Sequence, residues 1–143
     1  MVYDEIAQHL AQAESVDRAA VPLGMFVAWC VNMNLVSELL LQTAEQLVLR
    51  VRYREITGSE LLVAGLGGRL ESKWLNSAGN AFCREHYSGY LDDYAREFGL
   101  DIYGVRDDWD HYDRIAPQLT ARLYGPARRG EKQGDRRWWQ FWR

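Results

Sequence analysis

Three histidines are the first candidates for acid–base chemistry, because imidazole titrates near neutral pH. His9, His86 and His111 are far apart in the sequence. His111 lies within the acidic run DDWDHYD at residues 107–113. A histidine surrounded by carboxylates has the ligand types that bind a divalent metal, so this run is the strongest place to look for a metal site.

The spacing within that run does not fit the known calcium and zinc motifs. An EF-hand loop requires glycine at its sixth position and glutamate at its twelfth. Counted from Asp108, those positions hold Asp113 and Leu119. The HExxH arrangement of zinc proteases is also absent from the sequence. A solvated acidic helix start is therefore the preferred interpretation, and we expect no metal and no cofactor.

Nucleophilic and phosphate-binding motifs are missing as well. The sequence has no GxSxG, and the glycine-rich turn at residues 65–68 lacks the lysine and the spacing of a phosphate-binding loop. Asp92 and Asp93 are adjacent, so on a helix their side chains diverge by about 100°. We therefore predict that the protein is not an enzyme. A small enzyme with an unfamiliar site near His86 or His111 is the weakest of three alternatives.

Charge divides the chain into two parts. Residues 1–125 carry 11 basic and 18 acidic side chains, whereas residues 126–143 carry 6 and 2. An acidic body repels phosphate, which argues against nucleic-acid binding by this part. The same field suits a basic protein partner and accelerates its encounter, although an acidic surface also serves solubility alone.

Helical spacing of apolar residues dominates residues 1–125 and predicts an all-α domain. We expect a compact single-domain bundle of about five to six helices at 1–125, followed by a flexible tail at 126–143. The predicted helices cover residues 3–14, 23–33, 37 to the turn at 57–60, a short stretch after that turn and one turn at 70–75. A long helix follows, capped by residue 76 or 77 and ending at about 98, and the last helix starts after a cap at 107 or 108. Residues 15–22 form a connection in this scheme, and residues 101–105 are extended.

Several local signals support these helices. Ser37, either Asn76 or Ser77, and either Asp107 or Asp108 are predicted caps, and Thr57 with Glu60 has the spacing of a capping box. Pro117 predicts a kink or a fresh helix start within the last helix. The spacing of Tyr87, Tyr90 and Tyr94 on the long helix indicates core positions, with a partner-binding ridge as the alternative.

The last eight residues differ in character from the rest. Four aromatic side chains, Trp138, Trp139, Phe141 and Trp142, follow a polar linker rich in arginine and glycine. A minor disordered end, an anchor for a protein groove and a weak membrane-surface anchor are the three interpretations.

The remaining features point to the cytoplasm. The N-terminal residues MVYDE are acidic, unlike a secretory signal, and no apolar run reaches about 18 residues. Cys30 and Cys83 each lie in an apolar helical pattern and are expected to be buried free thiols.

Six phrases together carry a family resemblance: LGMFVAW at 23–29, REITGSELL at 54–62, GRL at 68–70, GNAF at 79–82, YLDDY at 90–94 and VRDDWDHYDRI at 105–115. This set resembles an uncharacterised family of small bacterial helical proteins. Members of that family look like the single-domain proteins found beside polymorphic toxins, where such neighbours usually act as immunity proteins. The sequence departs from the family pattern at Leu23 and His111, and the resemblance supplies no catalytic residues.

The leading hypothesis is a cytoplasmic immunity or inhibitor protein of a secretion-system toxin. It would neutralise a basic toxin, such as a nuclease, through an acidic face, and its oligomeric state is left open. The candidate residues at that face are Asp92, Asp93, Glu97, Asp107, Asp108 and Asp110. The alternative is an adaptor that docks its aromatic tail on a membrane or a secretion component.

Overall fold

The apolar segment around Phe26 forms the central helix, as its lack of a polar face predicts. The computed structural model describes the backbone of residues 1–131 and the side chains of residues 1–125. Residues 19–31 of the central helix are all buried. The seven helices in the described part of the chain are α1 (Leu10–Ala13), α2 (Val16–Asn32), α3 (Glu38–Thr43), α4 (Glu45–Arg52), α5 (Gly58–Leu66), α6 (Ser77–Phe98) and α7 (Trp109–Glu131).

This arrangement confirms the all-α prediction. Two short strands, β1 (Val2–Glu5) and β2 (Arg69–Glu71), form one antiparallel ladder beside the helices. Three 3-10 turns complete the described elements, at Ile6–Gln8, Ser72–Trp74 and Ile102–Gly104. No helix in this part of the chain is both long enough and apolar enough to cross a membrane.

Glycines allow α2 and α5 to cross with their backbones in contact. A Cβ atom at Gly24 would lie 2.6 Å from the backbone nitrogen of Ser59, and one at Gly58 would lie 1.9 Å from the carbonyl oxygen of Gly24. Both distances are far below van der Waals contact. The Ser59 hydroxyl completes the crossing by donating to the carbonyl of Ala20 at 3.2 Å.

Tyrosines of α6 fill the core, which confirms their predicted role. Tyr87 is 8% exposed, and Tyr90 and Tyr94 are fully buried. Tyr87 and Tyr90 pack against Phe26 of α2 with ring centroids 5.0 Å and 5.3 Å away. The hydroxyl of Tyr90 donates to the carbonyl of Pro22, so the polar end of this ring is satisfied inside the core.

The predicted helix caps are confirmed. Ser37 accepts from the amide of Leu40, Asn76 accepts from the amide of Gly79, and Asp108 accepts from the amide of His111. Thr57 and Glu60 form the predicted capping box. These side chains satisfy amides that a helix start leaves unpaired.

The predicted helix at residues 3–14 is wrong. Val2–Glu5 is a strand instead, in which Val2 pairs with Glu71 and Glu5 pairs with Arg69. A 3-10 turn and the single turn of α1 follow. The partner strand is more than 60 residues away in sequence, so no local periodicity could reveal the pairing.

Three other boundaries also differ from prediction. The predicted connection at 15–22 is the first part of α2, and Pro22 lies inside that helix; burial of the surrounding residues offsets the roughly 3 kcal/mol that an internal proline costs. The predicted helix from Ser37 is two helices divided at Ala44. The last helix continues through Pro117, and its break falls at Gly125, whose φ of 73° is readily adopted by glycine.

The short segments were also misassigned. Residues 69–71 form β2 and residues 72–74 a 3-10 turn, where one helical turn was predicted. Residues 102–104 form a 3-10 turn within the stretch predicted to be extended.

Candidate functional site

The candidate carboxylates of α6 are mostly tied to arginines. Asp93 is only 5% exposed and accepts hydrogen bonds from Arg96 and from Arg122, the latter at 2.7 Å. Glu97 pairs with Arg114 of α7 at 3.0 Å. Asp92 is exposed. Asp93 and Glu97 therefore join α6 to α7, and their charges are neutralised by these partners.

The candidate carboxylates at the start of α7 have a different environment. Asp107 accepts a hydrogen bond from the hydroxyl of Thr57 at 2.9 Å. Asp108 caps α7 and also contacts Nδ1 of His111 at 2.7 Å. Asp110 is exposed on the first turn of α7. Neutral groups provide the contacts of Asp107, so its charge is not cancelled locally as that of Asp93 is.

Neighbouring groups shift two of these carboxyl pKa values in opposite directions. Loss of solvent around Asp107 raises its pKa, and the nearby carboxylates of Glu60 and Asp108 raise it further. Hydrogen bonds from Thr57 and Ser59 act in the opposite direction and lower it. Hydrogen bonds from the amide and ring of His111 lower the pKa of Asp108. Loss of solvent is thus the main cause of the shift at Asp107, and the carboxylates where α5 and α7 begin add to it.

A groove of about 540 Å³ lies along this edge, and we call it the acidic groove. Three carboxylates line it, from three different elements: Asp17 in the first turn of α2, Glu60 in the first turn of α5, and Asp107 before α7. Its remaining lining is small or apolar: Ala20, Ser59, Val63 and Ala64. No lysine or arginine among the described side chains lies within 4.0 Å of these three carboxylates.

An adjoining apolar groove of about 480 Å³ shares Val63 with the acidic groove. Ile6, Leu10 and Val16 line it together with a pair formed by Arg69 and Glu5 at 3.9 Å. Leu10, Val16 and Val63 are 37%, 48% and 47% exposed. The two grooves therefore form one surface with an apolar half and an anionic half.

Arg54 holds the start of α7 in place. Its guanidinium makes two hydrogen bonds to the Asp113 carboxylate, at 2.7 Å and 3.0 Å, and lies 4.6 Å from the ring centroid of Trp109. The hydrogen bonds to Arg54 lower the pKa of Asp113. This clasp ties residue 54 to the last helix, whereas the neighbouring Glu55 pairs with Arg50.

A buried polar network at the N-terminus was missed by sequence reasoning. Asp4 is 4% exposed and accepts from His9 Nε2 at 2.8 Å and from the Tyr87 hydroxyl. The other ring nitrogen of His9 bonds the Tyr103 hydroxyl. The hydrogen bond to Asp4 raises the pKa of His9, and burial raises that of Tyr87.

The geometry of this network fits a structural role. It joins Asp4 to Tyr87, which are 83 positions apart in the chain, and His9 to Tyr103, which are 94 positions apart. None of these four residues lines either groove. The only sequence signal was an aspartate five residues before a histidine. Side chains five positions apart do not share a face of a regular helix or strand, so this spacing does not predict a contact.

The other two histidines show no metal centre. Within residues 1–125, no group of three or more histidine, cysteine, aspartate or glutamate side chains is arranged to hold a metal ion. His86 lies beside Glu85 at 3.7 Å, and His111 contacts Asp108. Cys30 and Cys83 are buried free thiols, as predicted, and burial raises both of their pKa values.

The predicted tail anchors lie outside the described residues. These are Trp138, Trp139, Phe141 and Trp142. Their proposed contacts with a protein groove or a membrane surface therefore stay predictions.

Comparison with known proteins identifies a family through residues 2–105. This segment matches the family model described as "Domain of unknown function (DUF7832)". The chain belongs to the DUF7832 family. No curated protein and no solved structure matches it. The matched segment includes Asp17, Glu60 and all the residues that line the apolar groove. Asp107 and α7 lie after the matched segment in the sequence.

Proposed function

We propose that this protein is an immunity or inhibitor protein that binds a basic partner protein, such as a nuclease toxin, through the acidic groove. The observation that carries the proposal is the convergence of Asp17, Glu60 and Asp107 on one groove without a cationic partner among the described side chains. The resemblance to proteins encoded beside toxins supplies the biological class.

The distribution of charge pairs supports this groove over α6 as the binding surface. Asp93 and Glu97 already have arginine partners, so a basic ligand would have to break those pairs. Asp17, Glu60 and Asp107 form no ion pair with the described side chains, so an incoming cation at the groove breaks no bridge between helices. Among the predicted residues, Asp107 is therefore the preferred contact, and Asp17 and Glu60 join it.

The shape of the surface favours a protein over a small molecule. Both grooves are open, and half-exposed Val63 lines both of them, so apolar surface adjoins the carboxylates. A mixed surface with an apolar centre and a charged rim is typical of protein interfaces. The partner surface would present an apolar side chain to Val63 and cationic side chains to the acidic groove.

The test combines capture with charge neutralisation. The full chain is used to capture partners from its native lysate, and capture is repeated with the triple variant Asp17→Asn, Glu60→Gln, Asp107→Asn. Glutamine at position 60 retains a capping-box side chain. We expect the yield of a basic partner to fall by about tenfold, since three exposed ion pairs at roughly 0.2–1 kcal/mol each are lost.

A matched control removes three charges elsewhere. Glu38→Gln, Glu45→Gln, Asp92→Asn changes exposed carboxylates, two of them in helix first turns as in the test variant. Equal capture by the two triple variants would refute the role of the acidic groove. The captured partner is then expressed alone and with this protein. The immunity role requires growth arrest by the partner alone and rescue by the wild-type chain, and a harmless partner would contradict it.

A further inference from the structure

The apolar and acidic grooves have a counterpart within the same chain. Residues 136–143 read RRWWQFWR and combine three arginines with four large aromatic side chains. Such a segment is costly to leave in water, because each aromatic side chain has about 150–250 Å² to bury. The described surface offers the exposed side chains of Leu10, Val16 and Val63 for rings, beside carboxylates for the arginines.

We infer that the C-terminal segment 136–143 docks on its own chain across these two grooves, with aromatic side chains at Val63 and the apolar groove and arginines at Asp17, Glu60 and Asp107. This inference does not depend on the identity of a partner protein. In the free protein the tail would occupy both grooves, and a partner protein would have to displace it in order to bind there.

The length of the chain permits this contact. The helical segment of α7 from Trp109 to Tyr124 is about 24 Å long at 1.5 Å per residue, and its first turn adjoins the acidic groove through Asp107. Gly125 breaks the helix, so the chain does not continue along the same axis. The helical residues 126–131 and the seven residues to Trp138 together span up to about 32 Å, which exceeds the distance back along α7.

Tethering makes even a weak contact effective. A short linker gives an intramolecular ligand an effective concentration in the millimolar range. An intrinsic dissociation constant of about 1 mM is therefore enough for half occupancy. If nine-tenths of the molecules have a docked tail, the apparent affinity of any competing partner falls about tenfold.

Site-specific photocrosslinking of the full chain tests the inference without a partner protein. Trp139 is replaced by the photoreactive residue p-benzoylphenylalanine, and adducts are mapped by mass spectrometry. We expect intramolecular adducts at Leu10, Val16 or Val63. Adducts spread over unrelated surfaces, or adducts between two copies that increase with protein concentration, would overturn docking within one chain.

Variants of the groove sharpen the test. Val63→Asp is expected to reduce the adduct yield by about tenfold, because it removes the shared apolar contact. Leu39→Asp is the control, since Leu39 lies on α3 with a similar exposure of 41%. The triple variant Asp17→Asn, Glu60→Gln, Asp107→Asn is expected to reduce the yield by about threefold to tenfold. Equal yields in Val63→Asp and Leu39→Asp would overturn the inference, as would wild-type yield in the triple variant.

Discussion

Replacing Gly24 by alanine is expected to destabilise the protein, opposite to the usual effect of that change inside a helix. Alanine in place of an interior helical glycine contributes about 1 kcal/mol of stability. Here the new methyl group would lie 2.6 Å from the Ser59 nitrogen and 2.7 Å from its Cα. These are backbone atoms, so α2 and α5 must separate, and overpacking of that kind costs about 3 kcal/mol.

The net loss for Gly24→Ala is about 2 kcal/mol, which corresponds to a fall in Tm of roughly 4–8 °C for a chain of this length. Urea denaturation followed by circular dichroism measures the loss as a lower midpoint at unchanged slope. The double variant Gly24→Ala, Ser59→Ala removes the 2.4 Å contact with the Ser59 hydroxyl but keeps the backbone contacts, so it should not recover wild-type stability.

Gly65→Ala is the matched control because it lies in α5 itself. The nearest atoms to its new methyl group are the flexible ends of Leu61 and Leu47, at 2.9 Å and 3.3 Å. Those ends can rotate away, so this variant should match the wild type or exceed its stability. If Gly24→Ala were as stable as Gly65→Ala, the close crossing of α2 and α5 would not be a determinant of stability.

Two further predictions concern buried charges. The folded pKa of His9 is raised above 6.5 by Asp4, so its stabilising contribution is complete below pH 6.5 and disappears as pH rises through the folded pKa. Urea titrations from pH 5.5 to 8.5 should show that the wild type loses stability as the pH rises, and that His9→Asn loses less. Parallel plots of stability against pH for the two proteins would contradict this. Arg122→Met leaves buried Asp93 with Arg96 as its remaining arginine partner and should cost about 3 kcal/mol in thermal or urea unfolding. Arg114→Met breaks a more exposed pair and should cost less than about 1 kcal/mol, so equal losses would refute the distinction.

The helical parts of the fold were predictable because their signals are local. A capping residue, a stripe of apolar positions and a terminal glycine all lie within a few turns of each other, as in α6 with Asn76 and Gly99. Pro22 was misleading for the opposite reason. Its local signal favours a helix start, yet the buried environment of α2 keeps it in the interior.

The candidate surface was predictable only in part. Composition indicated an acidic body, and Asp107 of the predicted acidic run does line the acidic groove. Asp93 looked like a surface residue because its partner Arg122 is 29 positions away. Asp17 and Glu60 were overlooked because each is an isolated charge until α2 and α5 cross at Gly24.

The pairing of β1 with β2 has a consequence for synthesis of the protein. Residues 2–5 leave the ribosome well before the strand that pairs with them, which begins at Arg69, and before Tyr103, which completes the contacts of His9. At 5–20 residues per second, that wait lasts roughly 5–20 s. The crossing of α2 and α5 has all its residues by Leu66 and can form earlier. The crossing can therefore form before β1 meets its partner strand, and during this interval β1 is an unpaired edge open to other growing chains.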